Sequence, residues 1–217
     1  ADLSNEAFPY LTAQEIDLHH ARSLAVRMSF VGELGWELFV PTEFALGVYD
    51  RLVEAGDAHG LAHAGMATLE STRTEAGRLD YGLDMENSDS PLEAGLKFAV
   101  DLDKPGGFVG RDALRIQYDQ RPYTTRLVQF LLTDPEPLLH GEEPILLGGD
   151  VAGYIRSGAY GHTLGGAMGF GYVEHPDGVT AELVANGDFE IVVAGERFPA
   201  RASLRSMYDP KNERVRM

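Results

Sequence analysis

The sequence predicts an α+β fold whose carboxy-terminal part is all β, a small barrel or sandwich. Three observations carry this expectation. Apolar residues alternate with period two between His20 and Val40, and helical spacing follows in two later segments. Beyond Thr125 every periodic run has strand character and is separated from the next by turn residues. The stretch Asp119-Gln-Arg-Pro-Tyr123 interrupts the periodicity between these regimes, so two domains are expected, residues 1–118 and residues 125–217.

Taken in order, Ala25 to Val31 and Trp36 to Val40 read as two strands joined by a turn over Gly32 to Gly35, with Pro41 ending the second. Phe44, Ala45, Val48, Tyr49, Leu52 and Val53 recur at helical spacing, with Thr42 as the N-cap and Gly56 past the end. A second helix is expected over Met66 to Ala76 with Gly77 as its stop. Its inward face would carry Met66, Leu69, Thr72, Arg73 and Ala76, and a buried Arg73 needs a carboxylate or carbonyl partner. Leu96, Phe98, Val100 and Leu102 alternate as a strand, and Arg111 to Tyr118 has helical spacing. Later strands are expected at Leu127 to Leu132, Ile145 to Leu147, Val151 to Ile155, Gly169 to Val173, Ala181 to Val184, Ile191 to Ala194 and Ala200 to Leu204. Asn186-Gly187 has the composition of a hairpin turn between two of them.

The 44% hydrophobic and 24% charged residues have the balance of a folded globular chain. Acids outnumber Lys and Arg by 34 to 18, and a formal charge of -16 repels nucleic acid and anionic lipid surfaces, so neither is expected as a partner. No window approaches the ~20 apolar residues a membrane helix needs. With no cysteine, disulfides, thiolate nucleophiles and cysteine-based zinc sites are excluded. The amino terminus shows no leader pattern, and a cytoplasmic location is expected. The chain begins without an initiator Met.

Most candidate chemistry reduces to structure. The Gly-rich run from Ser157 to Tyr172 fits neither phosphate-loop spacing and lies among strands, so its glycines read as turn and close-packing residues. His19 and His20 would point to opposite faces of a strand, and Gly60 lies between His59 and His63, so no metal site is expected. No nucleophile elbow occurs. Glu37 stands out, because it sits in an apolar strand on the face opposite Trp36 and Leu38. From the strand pattern alone it reads as a solvent-facing residue of a half-exposed strand.

Four segments in fixed order alter that reading. They are Ser29-Phe-Val-Gly-Glu-Leu-Gly-Trp-Glu-Leu38, Pro91-Leu-Glu-Ala-Gly-Leu96, Phe108-Val-Gly-Arg-Asp-Ala-Leu114, and Ser157-Gly-Ala-Tyr-Gly-His-Thr-Leu164 followed by Met168-Gly-Phe-Gly-Tyr-Val173. Together, from about Asp2 to Arg216, they resemble the aminomethyltransferase family, which includes the glycine cleavage T-protein and the folate-binding parts of dimethylglycine oxidase and sarcosine dehydrogenase. The resemblance implies part of a three-domain cloverleaf around tetrahydrofolate, followed by a carboxy-terminal β-barrel or jelly-roll domain.

It also implies roles. Glu37 would accept hydrogen bonds from the pterin ring, since an adjacent ring N–H and exocyclic amine form a donor pair that a carboxylate meets bidentately. Phe30, where the family commonly has Tyr, keeps an aromatic face for the pterin and loses the hydroxyl. Leu69 replaces an arginine of the glycine cleavage branch and favours the sarcosine and dimethylglycine branch. The family's catalytic aspartate lies in an amino-terminal segment that precedes Ala1, so no catalytic residue is assigned and this chain alone is expected to be inactive. The implied activity is transfer of a one-carbon unit from an N-methylated amine to tetrahydrofolate, forming 5,10-methylenetetrahydrofolate. A domain carrying FAD upstream in the same chain is compatible with that branch. A folate-dependent O- or S-demethylase, or a folate-binding module without turnover, is the alternative.

Overall fold

Residues 13–26 fold into a hairpin that the sequence pattern only half reveals. In the computed structural model, which describes residues 1–217, strand β1 (Ala13–Leu18) pairs antiparallel with β2 (Ala21–Val26). The turn between them is His19-His20, with His19 at φ 55 and the two imidazoles side by side, centroids 3.7 Å apart and planes tilted by 46°, instead of pointing to opposite faces. β3 (Glu37–Phe39) adds to the other edge of β2, pairing Val26 with Glu37 and Leu24 with Phe39. Thus the two expected strands are shorter and displaced, and the connection between them spans residues 27–36. Ile16 and Ala25 face a small core with Phe8, Trp36 and Leu38, while Leu24 and Phe39 lie on the exposed face.

Thr42 begins a 3-10 turn and caps nothing. Helix α1 (Ala45–Asp57) buries only Val48, leaving Leu46, Tyr49 and Leu52 exposed. Two compact units divide the chain, residues 1–69 with 211–217, and residues 70–210. Helix α2 (Met66–Glu75) stops before Gly77, whose φ is +68. Its buried residues are Ser71, Arg73, Thr74 and Glu75, whereas Met66 is exposed, so the expected apolar face is replaced by a polar one that is hydrogen-bonded.

The second unit corrects two strands. The alternation at Leu96 to Leu102 finds no partner strand and forms a 3-10 turn at Lys97–Ala99, with Phe98 outside. Ala181 to Val184 forms helix α4 (Ala181–Asn186), because the Thr180 hydroxyl accepts from the Leu183 N–H at 3.1 Å. Asn186-Gly187 is therefore a helix end, and the Gly187 N–H donates to the Leu183 carbonyl. Helix α3 (Arg111–Asp119) forms where expected.

Six strands close a barrel: β4 (Thr125–Leu132), β5 (Pro144–Leu147), β6 (Asp150–Gly161), β7 (Gly166–Glu174), β8 (Phe189–Val193) and β9 (Glu196–Ser203). The order is β4-β7-β6-β5-β8-β9, every pair is antiparallel, and β9 returns to β4. Ala194-Gly195, both at positive φ, makes the tight β8–β9 turn, while Asn186-Gly187, expected as the turn before β8, ends helix α4 instead. Closure removes sheet edges, and the interior fills with Val128, Phe130, Ile145, Ile155, Val173 and Ile191. No helix is long and apolar enough to cross a membrane.

Candidate functional site

Glu37 opens β3 instead of lying mid-strand, and its register opposite Val26 sets it on the face of the small sheet that carries Leu24 and Phe39. That face is open: Glu37 is exposed, and Phe39 and Leu24 are 57% and 42% accessible. No protein donor meets the Glu37 carboxylate. A carboxylate left free beside apolar side chains can accept a pair of N–H groups from a planar ligand.

The opposite face explains why β3 is oriented this way. Leu38 and Trp36 turn into the core, where Trp36 meets the Phe8 ring edge-on at 6.4 Å. Arg27, 1% accessible, lies 5.6 Å from the Trp36 ring and donates Nη1 to the Phe8 carbonyl at 2.6 Å and Nη2 to the Met217 carbonyl at 3.0 Å. This buried cation continues the inward alternation Ser23, Ala25, Arg27, a signal present in the sequence but not singled out there. Phe30 lies half-buried near the start of the connection that ends at Glu37, so both expected site residues belong to the same loop-and-strand segment of the first unit.

In the second unit, three acidic or basic groups are fully enclosed, and all are used internally. Arg73 donates Nε to Glu70 Oε2 and Nη1 to Asp84 Oδ2, both at 2.6 Å, and also reaches the Arg78 carbonyl. Asp84, with no accessible surface, accepts from the Asp80 N–H and from the Ser157 hydroxyl as well. Glu75 Oε1 accepts the consecutive N–H groups of Thr163 and Leu164 at 2.7 and 2.8 Å, holding the tip of the β6–β7 hairpin. With these internal bonds, Arg73, Asp84 and Glu75 build the scaffold of the second unit. Arg73 thus has the carboxylate and carbonyl partners its burial requires. The glycines of the Ser157 to Tyr172 run likewise serve packing: a Cβ on Gly158 would lie 2.3 Å from the Leu139 carbonyl, and one on Gly169 2.4 Å from the Ser157 carbonyl.

Comparison with known proteins gives a consistent pattern. Residues 1–104 match the GCVT N-terminal domain, and residues 125–209 match the glycine cleavage T-protein C-terminal barrel domain. The chain is 42% identical over 215 residues to a 4-methylaminobutanoate oxidase (formaldehyde-forming) of Paenarthrobacter nicotinovorans, covering 99% of this chain and 25% of that protein. To mitochondrial sarcosine dehydrogenase of Homo sapiens it is 39% identical over 218 residues, covering 100% of this chain and 24% of that protein. The chain therefore spans about a quarter of the length of these relatives. The crystal structure of glycine cleavage system aminomethyltransferase T from Bartonella henselae superimposes with a TM-score of 0.74 at 22% identity, over 88% of this chain and 50% of that one. That likeness shows the fold.

Proposed function

The chain belongs to the glycine cleavage T-protein family, and from that membership we propose that it forms the folate-binding part of a one-carbon transferase. The donor in this reading is an N-methylated amine of the sarcosine or dimethylglycine type, the acceptor is tetrahydrofolate, and the product is 5,10-methylenetetrahydrofolate. Support comes from the relatives' names. One oxidises a methylamino acid and forms formaldehyde, and another dehydrogenates sarcosine, so both act on an amine bearing a one-carbon group. A flavin-bearing domain elsewhere in the whole protein fits the same chemistry.

The observation that carries the reading is the Glu37 carboxylate, exposed and without an internal donor on a face shared with Leu24 and Phe39. These residues fit a reduced pterin, whose edge presents N–H donors and whose faces are apolar. When bound, tetrahydrofolate supplies the nitrogens that receive the carbon. Glu37 fixes the pterin's orientation by accepting its donor pair, and the Phe30 ring packs against it. The chain's contribution is then positioning, which lowers the barrier by holding the reacting groups in place. No group within these residues is assigned the proton transfer.

Glu37→Gln tests the anchor. The amide keeps the size but turns two N–H donors toward the ligand's own donors. Loss of a charge-assisted hydrogen bond weakens binding by about 1.5–3 kcal/mol, so tetrahydrofolate affinity of the whole protein should fall roughly ten- to a hundredfold. Titration calorimetry measures this, with a thermal melt to show that the variant folds. Undiminished affinity in a folded variant would return Glu37 to the role of a solvated strand residue.

A further inference from the structure

A cavity of about 140 Å³ in the second unit is lined by two arginines, Arg126 and Arg205, and by no acidic residue. In a chain with 34 acids against 18 Lys and Arg, that lining is a local reversal of charge. Neither guanidinium is within ion-pair distance of a carboxylate. Arg126, at the start of β4, makes a single side-chain hydrogen bond, from Nη1 to the Val179 carbonyl at 3.3 Å, and its buried Nε has no partner. Burial also pulls the Arg126 pKa below its ordinary value, because no counter-ion compensates its lost hydration. Arg205 is exposed, and only its backbone is engaged, through the Ser203 hydroxyl.

The remaining polar groups of the lining are already committed. Gln129 donates to the Thr74 carbonyl and accepts from the Met207 N–H, and the Ser206 hydroxyl bonds the Glu75 carbonyl. Apolar side chains complete the lining, Leu79, Leu96, Leu127 and Phe170 among them, with the largely exposed Phe98. A volume of that size equals roughly four to five waters' share of liquid, enough for a small ring with a carboxylate.

We propose that this cavity binds a small carboxylate with an apolar body, its anionic end between Arg126 and Arg205 and its body against Leu96 and Phe98. Geometry and charge carry the assignment together, because two guanidiniums without a carboxylate partner, at an acid-free cavity with apolar side chains beside them, select for that combination. The site does not rest on the folate reading: it lies in the second unit, whereas Glu37 and Phe30 belong to the first.

The test uses benzoate as probe on the full 217-residue chain, followed by amide chemical shifts, with benzyl alcohol and inorganic phosphate alongside. Benzoate should saturate and shift the amides of Gly77, Gly95 and Arg205, while benzyl alcohol, lacking the charge, and phosphate, lacking the apolar body, bind at least about tenfold more weakly. Arg205→Glu, at an exposed position that leaves the fold intact, should weaken benzoate roughly tenfold or more, and Arg126→Met should do the same where it folds. Failure of benzoate to saturate, shifts confined to other amides, or equal benzoate affinity in Arg205→Glu would overturn the proposal. Equal affinity for phosphate would overturn the assignment of a carboxylate with an apolar body.

Discussion

Tyr172 shows how one atom can work against the fold that contains it. It lies on β7 with its hydroxyl buried and making no hydrogen bond of good geometry, only a weak approach to the Asp89 carboxylate, and a buried, poorly satisfied donor costs about 1–3 kcal/mol. Tyr172→Phe should therefore raise stability at neutral pH by about 1 kcal/mol, read from the urea midpoint at unchanged slope. Burial first, then the nearby Asp89 charge, hold this phenol above its usual range. The folded chain keeps the proton that the unfolded chain releases near pH 10, so stability should fall as pH rises through that value. The variant should lose part of that fall, and identical pH slopes for both proteins would refute it. Glu37 and Arg73 were legible as residues because each breaks an apolar pattern. Asp84 was not, since an aspartate in a stretch rich in Asp, Asn and Ser gives no sign that it will be enclosed.

At the scale of elements, period two identified β4 and the other barrel strands well but could not say whether a partner strand exists. Leu96 to Leu102 alternates as cleanly as β8 and pairs with nothing, while Ala181 to Val184 is claimed by a Thr180 cap that a strand reading overlooks. Strand β1 escaped notice because Ala13-Gln-Glu-Ile-Asp-Leu18 offers only Ile16 and Leu18 to the core. The glycines of the β6–β7 hairpin are packing devices, as their place among strands predicts, and substitution gives that role a measurable form. Gly158→Ala drives a Cβ into the Leu139 backbone and should cost about 1–3 kcal/mol or more. Gly165, at φ +80 with open space around it, should accept Asn for less than about 1 kcal/mol. Thermal melts of the two variants check the contrast, and equal losses would contradict it.

For the whole molecule, the barrel and its family were recoverable from strand spacing and four short motifs, whereas the division into units was not a matter of sequence pattern. The unit holding the barrel begins at Glu70, since Thr74 and Glu75 are tied by hydrogen bonds to Gln129, Thr163 and Leu164. In the first unit, α1 has the spacing of a helix that buries one face, yet Leu46, Tyr49 and Leu52 stay exposed. The chain spans about a quarter of the length of its relatives, so the proposed role of Glu37 is tested in the whole protein. The most direct measurement compares tetrahydrofolate with an analogue whose exocyclic pterin amine is replaced by methyl, each titrated into the whole protein and its Glu37→Gln variant. If the carboxylate accepts the pterin donor pair, the two changes will be coupled by about 1 kcal/mol or more, the substitution costing tetrahydrofolate far more than the analogue. Equal losses for both ligands would mean that Glu37 does not touch the pterin edge.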